Sequence, residues 1–424
     1  MNFIRYPQPS EWPQLLARPV MDLREIEARV APILQQVRQR GDDALRDFTL
    51  QFDKVQLDDL RVPAAEMAEA ETLVSPELKA AIGLAKANIE TFHRAQLSRP
   101  ERITTQPGVV CWRKSVGIEK VGLYIPGGSA PLFSTVLMLG VPARLAGCRE
   151  VVLCTPVNRA GKVHPAILYA AAQVGIADVF KVGGAQAVAA MAYGTGSIAR
   201  VDKIFGPGNQ YVTAAKQLVN KEGIAIDMPA GPSEVAVYAD DSSNPVFVAA
   251  DLLSQAEHGP DSQVILVSTS EAAISRAVEE VLRQLEALPR REIAWQALSH
   301  SKAFLVQHED EALRLLNAYA AEHLILAVDH AAELADRITN AGSVFLGHYT
   351  PEAAGDYASG TNHTLPTNGF ARAYSGVSVD SFVKKITFQQ ITPEGIRNIG
   401  PAVETMAAAE ELQAHKNAVT VRLG

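Results

Sequence analysis

Short apolar runs alternate with Ala-rich amphipathic stretches over most of the chain after residue 116. The apolar runs are typical of buried strands, and the stretches between them have helical periodicity. The predicted strands span residues 121–125, 150–155, 178–182, 201–205, 223–227, 234–239, 263–268, 303–306, 324–328 and 343–346. The predicted helices span residues 134–145, 164–174, 185–193, 209–220, 245–258, 271–287, 309–320 and 330–339. This alternation predicts an α/β fold with two Rossmann-like parallel sheets in tandem.

The two ends of the chain depart from this pattern. Residues 1–20 are polar and proline-punctuated, and helical periodicity then begins near Asp22 and continues to about Leu97. The C-terminal part has only a short strand near Phe388 and two helices. The predicted division is an N-terminal arm at 1–20, a first Rossmann-like domain at 21–123 plus 237–377, a second at 124–236 and a helical tail at 378–424. An arm at each end predicts an intertwined dimer.

The composition excludes several classes of protein. With 424 residues the chain is too long for one ordinary hydrophobic core. Its formal net charge is −8 and it has no Lys/Arg-rich run, which argues against nucleic acid or an anionic membrane as a partner. The N-terminus lacks the apolar core of a secretory signal, and no apolar segment is long enough to cross a bilayer.

The cysteine content points to a reducing compartment. There are three cysteines, Cys111, Cys148 and Cys154, and none belongs to a Cys-x-x-Cys pair, so a thiolate zinc site or a disulfide framework is not expected. A cytoplasmic location fits. Cys154 lies in a predicted strand and is expected to be inert, whereas Cys111, beside Trp112-Arg113-Lys114, is the remaining candidate for covalent aldehyde chemistry.

The end of the predicted helix 245–258 carries a possible pair of metal ligands. Gln255 and His258 lie three residues apart, so they share one face of the last turn before Gly259-Pro260. That turn is the negative end of the helix dipole, which favours a cation. A carboxamide oxygen and an imidazole could bind a divalent metal there. The alternative, more frequent at helix ends, is that both side chains cap the helix and face water.

Glycine-rich turns follow four predicted strands of the second domain. They are Tyr124-Ile125-Pro126-Gly127-Gly128, Val182-Gly183-Gly184-Ala185-Gln186, Phe205-Gly206-Pro207-Gly208-Asn209-Gln210 and Met228-Pro229-Ala230-Gly231-Pro232-Ser233. Ligands bind at the carboxyl ends of parallel strands, and glycine lets backbone amides approach a phosphate. The dinucleotide motif Gly-x-Gly-x-x-Gly is incomplete, because Tyr211 stands where the third glycine would be. Ordinary turn chemistry is the alternative.

Acidic and imidazole side chains supply further candidates. Glu322 and His323 are adjacent at a predicted helix–strand junction and could divide acid–base work, unless Glu322 faces solvent and His323 bonds to backbone. Asp356 lies in a polar loop, either as a turn former or as a hard oxygen ligand. Glu410 and His415 lie near the end of the tail, where a histidine often only complements the helix dipole. A ligand set suited to Zn²⁺ would consist of Gln255, His258, Asp356 and His415.

The chain resembles the histidinol dehydrogenase family nearly from end to end. The resemblance is carried by Tyr124-Ile125-Pro126-Gly127-Gly128, Gly206-Pro207-Gly208-Asn209, Ala230-Gly231-Pro232-Ser233-Glu234, Ser254-Gln255-Ala256-Glu257-His258-Gly259, Ala321-Glu322-His323-Leu324, Gly355-Asp356-Tyr357-Ala358-Ser359-Gly360-Thr361-Asn362-His363 and Ala414-His415-Lys416-Asn417. It implies a homodimer with a shared active site and one Zn²⁺ per subunit. The first domain would then carry the metal and catalytic residues, and the second would bind NAD⁺.

The resemblance also implies a role for each matching residue. The implied zinc ligands are Gln255, His258 and Asp356, with His415 supplied by the swapped tail of the partner. The implied NAD⁺ contacts are Tyr124, Gln186 and Asn209. The implied substrate contacts are Ser233, Gln255, His258, His323, Asp356, His363, Glu410 and His415. The implied acid–base pair is Glu322 and His323.

The implied reaction is the four-electron oxidation of L-histidinol to L-histidine through bound L-histidinal, with two NAD⁺, at the end of histidine biosynthesis. Zinc would orient the substrate, His323 would take the alcohol proton, and Glu322 would activate water against the aldehyde. A relative acting on another small alcohol is an alternative, although Ser233 and Glu410 speak against it. A zinc hydrolase would leave the glycine-rich turns without a purpose, and the complete set of site residues disfavours an inactive binding protein.

Overall fold

The computed structural model describes residues 1–19, 23–127, 131–229 and 231–424. The predicted helix start at Asp22 and parts of two glycine-rich turns, at Gly128-Ser129 and Ala230, lie outside the described residues. Strands in the described ranges are β1 (Asn2–Arg5), β2 (Arg102–Gln106), β3 (Val109–Gly117), β4 (Lys120–Tyr124), β5 (Glu150–Thr155), β6 (Asp178–Lys181), β7 (Lys203–Phe205), β8 (Ala225–Ile226), β9 (Glu234–Ala239), β10 (Gln263–Ser268), β11 (Lys302–Leu305), β12 (His323–Ala327), β13 (Ser343–Leu346) and β14 (Val383–Ile391).

The helices cover both parallel sheets described below. In chain order they are α1 (Trp12–Leu15), α2 (Leu23–Arg40), α3 (Asp42–Phe48), α4 (Ala64–Leu73), α5 (Pro76–Arg94), α6 (Phe133–Ala146), α7 (Pro165–Gln173), α8 (Gly184–Tyr193), α9 (Gln210–Lys221), α10 (Pro245–Ala256), α11 (Glu271–Leu285), α12 (Arg291–His300), α13 (Glu309–Tyr319), α14 (Ala331–Leu334), α15 (Glu352–Tyr357), α16 (Pro393–Ala409) and α17 (Gln413–Leu423). In the ranges that the structure describes, no helix is long and apolar enough to span a membrane.

A six-stranded parallel sheet has the strand order β1-β11-β10-β9-β12-β13. Its central strand β9 is buried at every residue, as expected for a parallel sheet covered on both faces. Helices α10, α11 and α12 pack on one face, and α1 and α13 pack on the other. Residues 2–5 form its edge strand, so the expected N-terminal arm at 1–20 is in large part folded onto this sheet.

A five-stranded parallel sheet has the order β6-β5-β4-β7-β8. Its helices α6 and α7 pack on one face, and α8 and α9 pack on the other. The predicted α/β fold with parallel sheets is therefore confirmed. The predicted strands 201–205 and 223–227 are shorter than expected, at Lys203–Phe205 and Ala225–Ile226.

The helices near the N-terminus pack on the five-stranded sheet. Helix α2 contacts α8 and α9, α4 contacts α7, and α5 contacts α6. Strand β4, which begins at Lys120, belongs to the same sheet. These elements therefore pack with the five-stranded sheet, and not with residues 237–377 as the predicted division of the chain would have them. The periodicity of a helix shows which of its faces is apolar, but it does not show which sheet that face covers.

A third sheet, with the antiparallel order β14-β3-β2, was not predicted apart from a short strand near Phe388. Every residue of β2 is exposed, and eight of the nine residues of β14 are exposed, so neither strand has the apolar run that marked the buried strands. Helix α16 packs on α17 and contacts β2 and β14. The tail is therefore anchored to this antiparallel sheet.

Candidate active site

The amino ends of β9 and β12 lie side by side in the six-stranded sheet. The side of a sheet formed by the amino ends of its strands is called its amino edge below, and the opposite side its carboxyl edge. The residue pairing aligns His323, the first residue of β12, with Val235, the second residue of β9. Helix α10 follows β9 and runs back across the sheet, so that its last turn reaches the same edge. Asn244 caps its start by accepting a hydrogen bond from the Val246 amide. The helix ends at Ala256, which is two residues earlier than predicted.

A buried hydrogen-bond network joins the three elements at this edge. The Gln255 Nε2 donates to the backbone oxygen of Glu234 at 3.1 Å and to Glu322 Oε2 at 3.2 Å. The Glu234 amide donates to the same Glu322 oxygen at 2.9 Å. The His323 Nδ1 lies 3.2 Å from the Glu234 backbone oxygen, which has a second lone pair to accept its proton. The predicted helix–strand acid–base pair is thus held by the start of β9.

This network leaves two polar atoms free to meet a ligand. With Nδ1 donating to Glu234, the other ring nitrogen of His323, Nε2, is buried without a hydrogen bond. It lies 3.3 Å from Asp356 Oδ1, without the alignment of a hydrogen bond. The Oε1 of Gln255 is also buried and has no partner, although its side chain is only 1% exposed. Buried polar atoms are normally satisfied, so both atoms mark a site for something bound.

A buried ion pair between Arg18 and Glu234, which was not predicted from the sequence, supports this network. Arg18 donates two hydrogen bonds to Glu234, at 2.8 and 2.9 Å, and a third to the backbone oxygen of Tyr319 at 2.7 Å. The Asn368 amide also donates to Glu234 Oε1, at 2.7 Å. Burial raises the pKa of Glu234 although Arg18 opposes the shift. Nothing in the local sequence around Arg18 indicates a partner more than 200 residues away.

Three side chains beside this network, those of His258, Glu352 and Asp356, could hold a metal ion and are called the metal-ligating group below. Ligand atoms of His258, Glu352 and Asp356 all lie within 4.8 Å of one another. His258 follows the end of α10, while Glu352 and Asp356 are four residues apart on α15 and share one face of it. The unpartnered Oε1 of Gln255 adds an oxygen, so the donors fit a borderline divalent ion such as Zn²⁺. The sequence analysis named every member of this group except Glu352.

The acidic surroundings shift several pKa values. Burial lowers the pKa of His323, but Glu322, Glu352 and Asp356 outweigh burial and raise it well above its ordinary value. Burial raises the pKa of Glu352 to about 8, with further contributions from neighbouring acids against the effect of His323. Burial also opposes ionisation of Asp356, yet His323 holds its pKa below the ordinary value. A cation bound among these carboxylates would lower the pKa of His323 again.

His363 connects this edge to the five-stranded sheet. Its Nδ1 lies 2.9 Å from the backbone oxygen of Asp356, and its Nε2 lies 3.0 Å from the hydroxyl of Thr135 in the first turn of α6. Burial lowers the pKa of His363. Ser233 precedes β9 and is partly buried. The amino edge of the six-stranded sheet therefore adjoins the carboxyl edge of the five-stranded sheet.

The three expected NAD⁺ contacts lie at that carboxyl edge. Tyr124 ends β4, and its hydroxyl accepts a hydrogen bond from the Gly184 amide at 3.1 Å; burial raises its pKa to about 12. Gln186 lies in the first turn of α8 and is 3% exposed. Asn209 caps α9, because its Oδ1 accepts hydrogen bonds from the amides of Tyr211 and Val212.

At Gly206 the backbone of one turn lies very close to the backbone of Tyr124 at the end of β4. Gly206 has φ +129°, and a Cβ atom there would lie 2.1 Å from the backbone oxygen of Tyr124, so only glycine fits. A second buried ion pair, between Lys216 and Asp227, holds the turn. The Lys216 ammonium donates to the Gly206 carbonyl at 2.9 Å, and Asp227 accepts from the Gly206 amide at 2.8 Å. The sequence analysis did not identify this pair.

The tail residues do not join the site within one chain. Glu410 caps the end of α16, His415 lies on α17, and both are exposed. Among the described residues, the metal-ligating group contains neither of them. Cys154 is fully buried, and burial raises the pKa of its thiol strongly. Cys111 lies on β3 of the antiparallel sheet and not in a loop beside the site, so the expectation of covalent aldehyde chemistry there finds no support.

The chain is similar to known proteins over almost its whole length. The histidinol dehydrogenase family model matches residues 16–423. The chain belongs to the histidinol dehydrogenase family. A histidinol dehydrogenase of Bacteroides thetaiotaomicron is 62% identical over 423 residues, which cover 100% of this chain and 99% of the relative. One of Xylella fastidiosa is 56% identical over 411 residues, covering 96% and 95%.

A solved structure of the histidinol dehydrogenase family has the same fold. The crystal structure of histidinol dehydrogenase from Elizabethkingia anophelis superimposes with a TM-score of 0.97 at 55% identity, covering 100% of this chain and 98% of that chain. The resemblance noted in the sequence is therefore confirmed. Membership in the histidinol dehydrogenase family also confirms the predicted enzyme class, an NAD-dependent oxidoreductase.

Proposed function

We propose that the chain oxidises L-histidinol to L-histidine through bound L-histidinal, using two NAD⁺ in succession. The observation that carries this proposal is the free, buried Nε2 of His323, whose other nitrogen is fixed by the Glu234 carbonyl beside Glu322 and the metal-ligating group. A base fixed in this way can remove a hydroxyl proton from a substrate bound at the same edge. Family membership supplies the substrate, which the geometry alone would not identify.

Gln255, His258 and Asp356 would hold a zinc ion, together with His415 of the partner subunit. When bound, the metal would orient the substrate through its imidazole and amino nitrogens. Support comes from the donor set itself and from the unpartnered Oε1 of Gln255. The exposure of Glu410 and His415 supports a homodimer in which each tail completes the site of the other subunit. Light scattering that finds only monomers of the active enzyme would refute this arrangement.

In the alcohol step, His323 Nε2 takes the hydroxyl proton while the carbinol hydride leaves for the nicotinamide. In the aldehyde step, Glu322 activates water, and the hydrate gives up the second hydride. Glu322 suits this role because hydrogen bonds from the Glu234 amide and Gln255 to its Oε2 fix the carboxylate beside His323. Ser233, His363 and Glu410 would contact the substrate beside the ligands.

Tyr124, Gln186 and Asn209 would bind NAD⁺ at the carboxyl edge of the five-stranded sheet. Support comes from the close turn at Gly206 and from the exposed position of Asn209 at the start of α9, at an edge where nucleotides bind in open α/β sheets. We accordingly propose two functional domains, one per parallel sheet, with the helices between residues 23 and 94 assigned to the NAD⁺-binding one. The reaction would take place in the cytoplasm at the end of histidine biosynthesis, which cell fractionation would test.

The experiment is histidinol-dependent reduction of NAD⁺, followed by absorbance at 340 nm, with metal analysis of the same sample. We expect roughly one zinc per chain, loss of activity on chelation, and recovery on adding Zn²⁺. NADH formation that is unchanged after complete removal of the metal would contradict zinc dependence. Absence of NADH formation from the metal-loaded protein would contradict the proposed substrate.

A further inference from the structure

Glu352 is the residue of the metal-ligating group that neither the sequence motifs nor the family's implied ligand set includes. It is the first residue of α15, follows the N-cap Pro351, and is 1% exposed. Its spacing of four residues puts it on the same face as Asp356. Helices α15 and α10 are in contact, which brings both acids to His258 just beyond the end of α10.

One oxygen of the Glu352 carboxylate has no partner among the described residues. Its Oε2 is buried and makes no hydrogen bond, and none of the ion pairs in the described parts of the chain includes it. A buried carboxylate without a hydrogen bond or a cation is costly, and native structures rarely retain one without a purpose. A Glu352 carboxylate oxygen lies within 4.8 Å of ligand atoms of His258 and Asp356, which are themselves suited to hold a cation.

The charge balance of the site also favours Glu352 as a second carboxylate beside a divalent ion. Gln255 and a metal-bound imidazole contribute no charge, so Asp356 alone would leave a divalent ion with one uncompensated positive charge. A second carboxylate makes the group of ion, Asp356 and Glu352 neutral, which lowers the cost of burying the ion. Glu322 does not serve this purpose equally well, because one of its oxygens already accepts hydrogen bonds from Gln255 and the Glu234 amide.

We propose that Glu352 is a direct ligand of the metal in the substrate-free enzyme, through Oε2. The inference rests on the proposed zinc site and deepens it: one chain then offers four donors, from Gln255, His258, Glu352 and Asp356, before any residue of a partner arrives. The metal is bound first by the single chain, and His415 of the partner subunit adds to a site that already holds its ion.

The test uses the full-length protein, freed of metal by chelation and reloaded with Zn²⁺ or Co²⁺. Glu352→Gln keeps the size of the side chain and removes its charge. Asp251→Asn is the matched control, because Asp251 is a partly buried acid on α10 whose charge acts on Glu352 but which is not in the metal-ligating group. The affinity for Zn²⁺ is measured by competition with a chromophoric chelator, and the ligand field by the visible spectrum of bound Co²⁺.

We expect Glu352→Gln to weaken Zn²⁺ binding by about 10- to 100-fold or more. The Co²⁺ absorption bands should also shift, because the metal loses a carboxylate ligand. Asp251→Asn should change the affinity less than about threefold and leave the bands in place, and His415→Ala should retain more affinity than Glu352→Gln. Without metal, Glu352→Gln should unfold at the same or a higher temperature than the wild type, since Glu352 Oε2 has no hydrogen bond to lose.

Wild-type affinity and an unchanged Co²⁺ spectrum in Glu352→Gln would overturn the inference. So would a metal-free Glu352→Gln protein that is clearly less stable than the metal-free wild type, because Glu352 would then have a structural partner within the protein. Failure of the proposed zinc site gives a different result, since the wild-type protein itself would then take up neither Zn²⁺ nor Co²⁺.

Discussion

Two sheet edges meet in this protein, and they are built by opposite means. The amino edge of the six-stranded sheet is made of side chains, with Gln255, Glu322 and His323 bound to one another and to the start of β9. The carboxyl edge of the five-stranded sheet is made largely of backbone, with the close turn at Gly206 and the helix start at Asn209. The contact between His363 and Thr135 joins them.

The difference fits the role proposed for each edge. Proton transfer and metal binding need side chains with defined charge and fixed rotamers, and buried networks supply both. A dinucleotide needs close approach and amide donors, which tight turns supply without charged side chains. Each edge is nevertheless supported by a buried ion pair. Arg18 pairs with Glu234 at the amino edge, and Lys216 pairs with Asp227 at the carboxyl edge. Substitutions at the two edges should therefore fail in different ways.

The largest effect is expected for His323→Gln at the amino edge. Glutamine can occupy a similar volume but cannot act as a general base, so we expect kcat for histidinol oxidation to fall by roughly 10²- to 10⁴-fold. His330→Gln is the matched control, since His330 pairs with Glu309 beyond the opposite end of β12. Steady-state kinetics on both variants measure the effect. A His323→Gln enzyme with wild-type kcat would remove His323 from the mechanism.

Glu322→Gln should separate the two oxidation steps. Glutamine retains an acceptor oxygen for the Glu234 amide, so the network should survive while the base is lost. We expect oxidation of added histidinal to fall by about 10²-fold or more, and the alcohol step to fall much less. Single-turnover measurements with each substrate test this. Equal activity of variant and wild type on histidinal would disprove the role of Glu322.

Gly206→Ala should damage the backbone edge. The new Cβ would meet the Tyr124 carbonyl in a left-handed conformation, so we expect a loss of about 3 kcal/mol or more in the free energy of unfolding. In the folded fraction, KM for NAD⁺ should rise while zinc affinity is kept. Gly147→Ala has a similarly positive φ of +79° but no atom within 4 Å, and should lose only about 1 kcal/mol. Equal losses in the two variants would contradict the account of this turn.

Arg18→Lys tests whether the ion pair behind the amino edge positions the site. Lysine keeps the charge but loses the two parallel hydrogen bonds to Glu234, which should cost about 1–2 kcal/mol of stability and lower kcat a few-fold. Arg5→Lys, in an exposed pair with Glu271, is the control and should lose less than about 0.5 kcal/mol. A variant that loses stability but keeps full kcat would show that Arg18 only stabilises the fold.

Asp251→Asn should produce the smallest change, and one that depends on pH. Burial raises the pKa of Asp251 to about 7 in the folded protein, above the ordinary 3.8. The folded state therefore favours the protonated acid, and stability declines as the pH rises from about 4 through 7. The metal-free variant should exceed the wild type by about 1–2 kcal/mol at pH 8 and match it near pH 4. A constant difference across this range would contradict the raised pKa.

The sequence predicted the parallel sheets well because their strands are continuous apolar runs between amphipathic helices. It predicted only a short strand near Phe388 within β14 and did not predict β2, whose side chains are all exposed, or the packing of α2 to α5 on the five-stranded sheet. Strand pairing and helix docking depend on contacts between distant segments, which periodicity along the chain does not record.

The candidate site residues that stand in unusual motifs could be named from the sequence, whereas isolated ones could not. The structure places Gln255, His258 and Asp356 at one edge, and their roles stay a proposal. Arg18 and Glu352 were missed, because a single charged residue in a helical or loop segment has no local signature of burial. For Glu352 one signal was present in the sequence. It precedes Asp356 by four residues, a spacing that puts both acids on one face of a helix.

The most direct test of the account is the number of NADH molecules formed per molecule of L-histidinol consumed by the zinc-loaded enzyme. The account predicts two NADH and one L-histidine, with no free histidinal detected by an aldehyde trap, because both oxidations use the same pair of sheet edges. One NADH per histidinol with histidinal released into solution would contradict it.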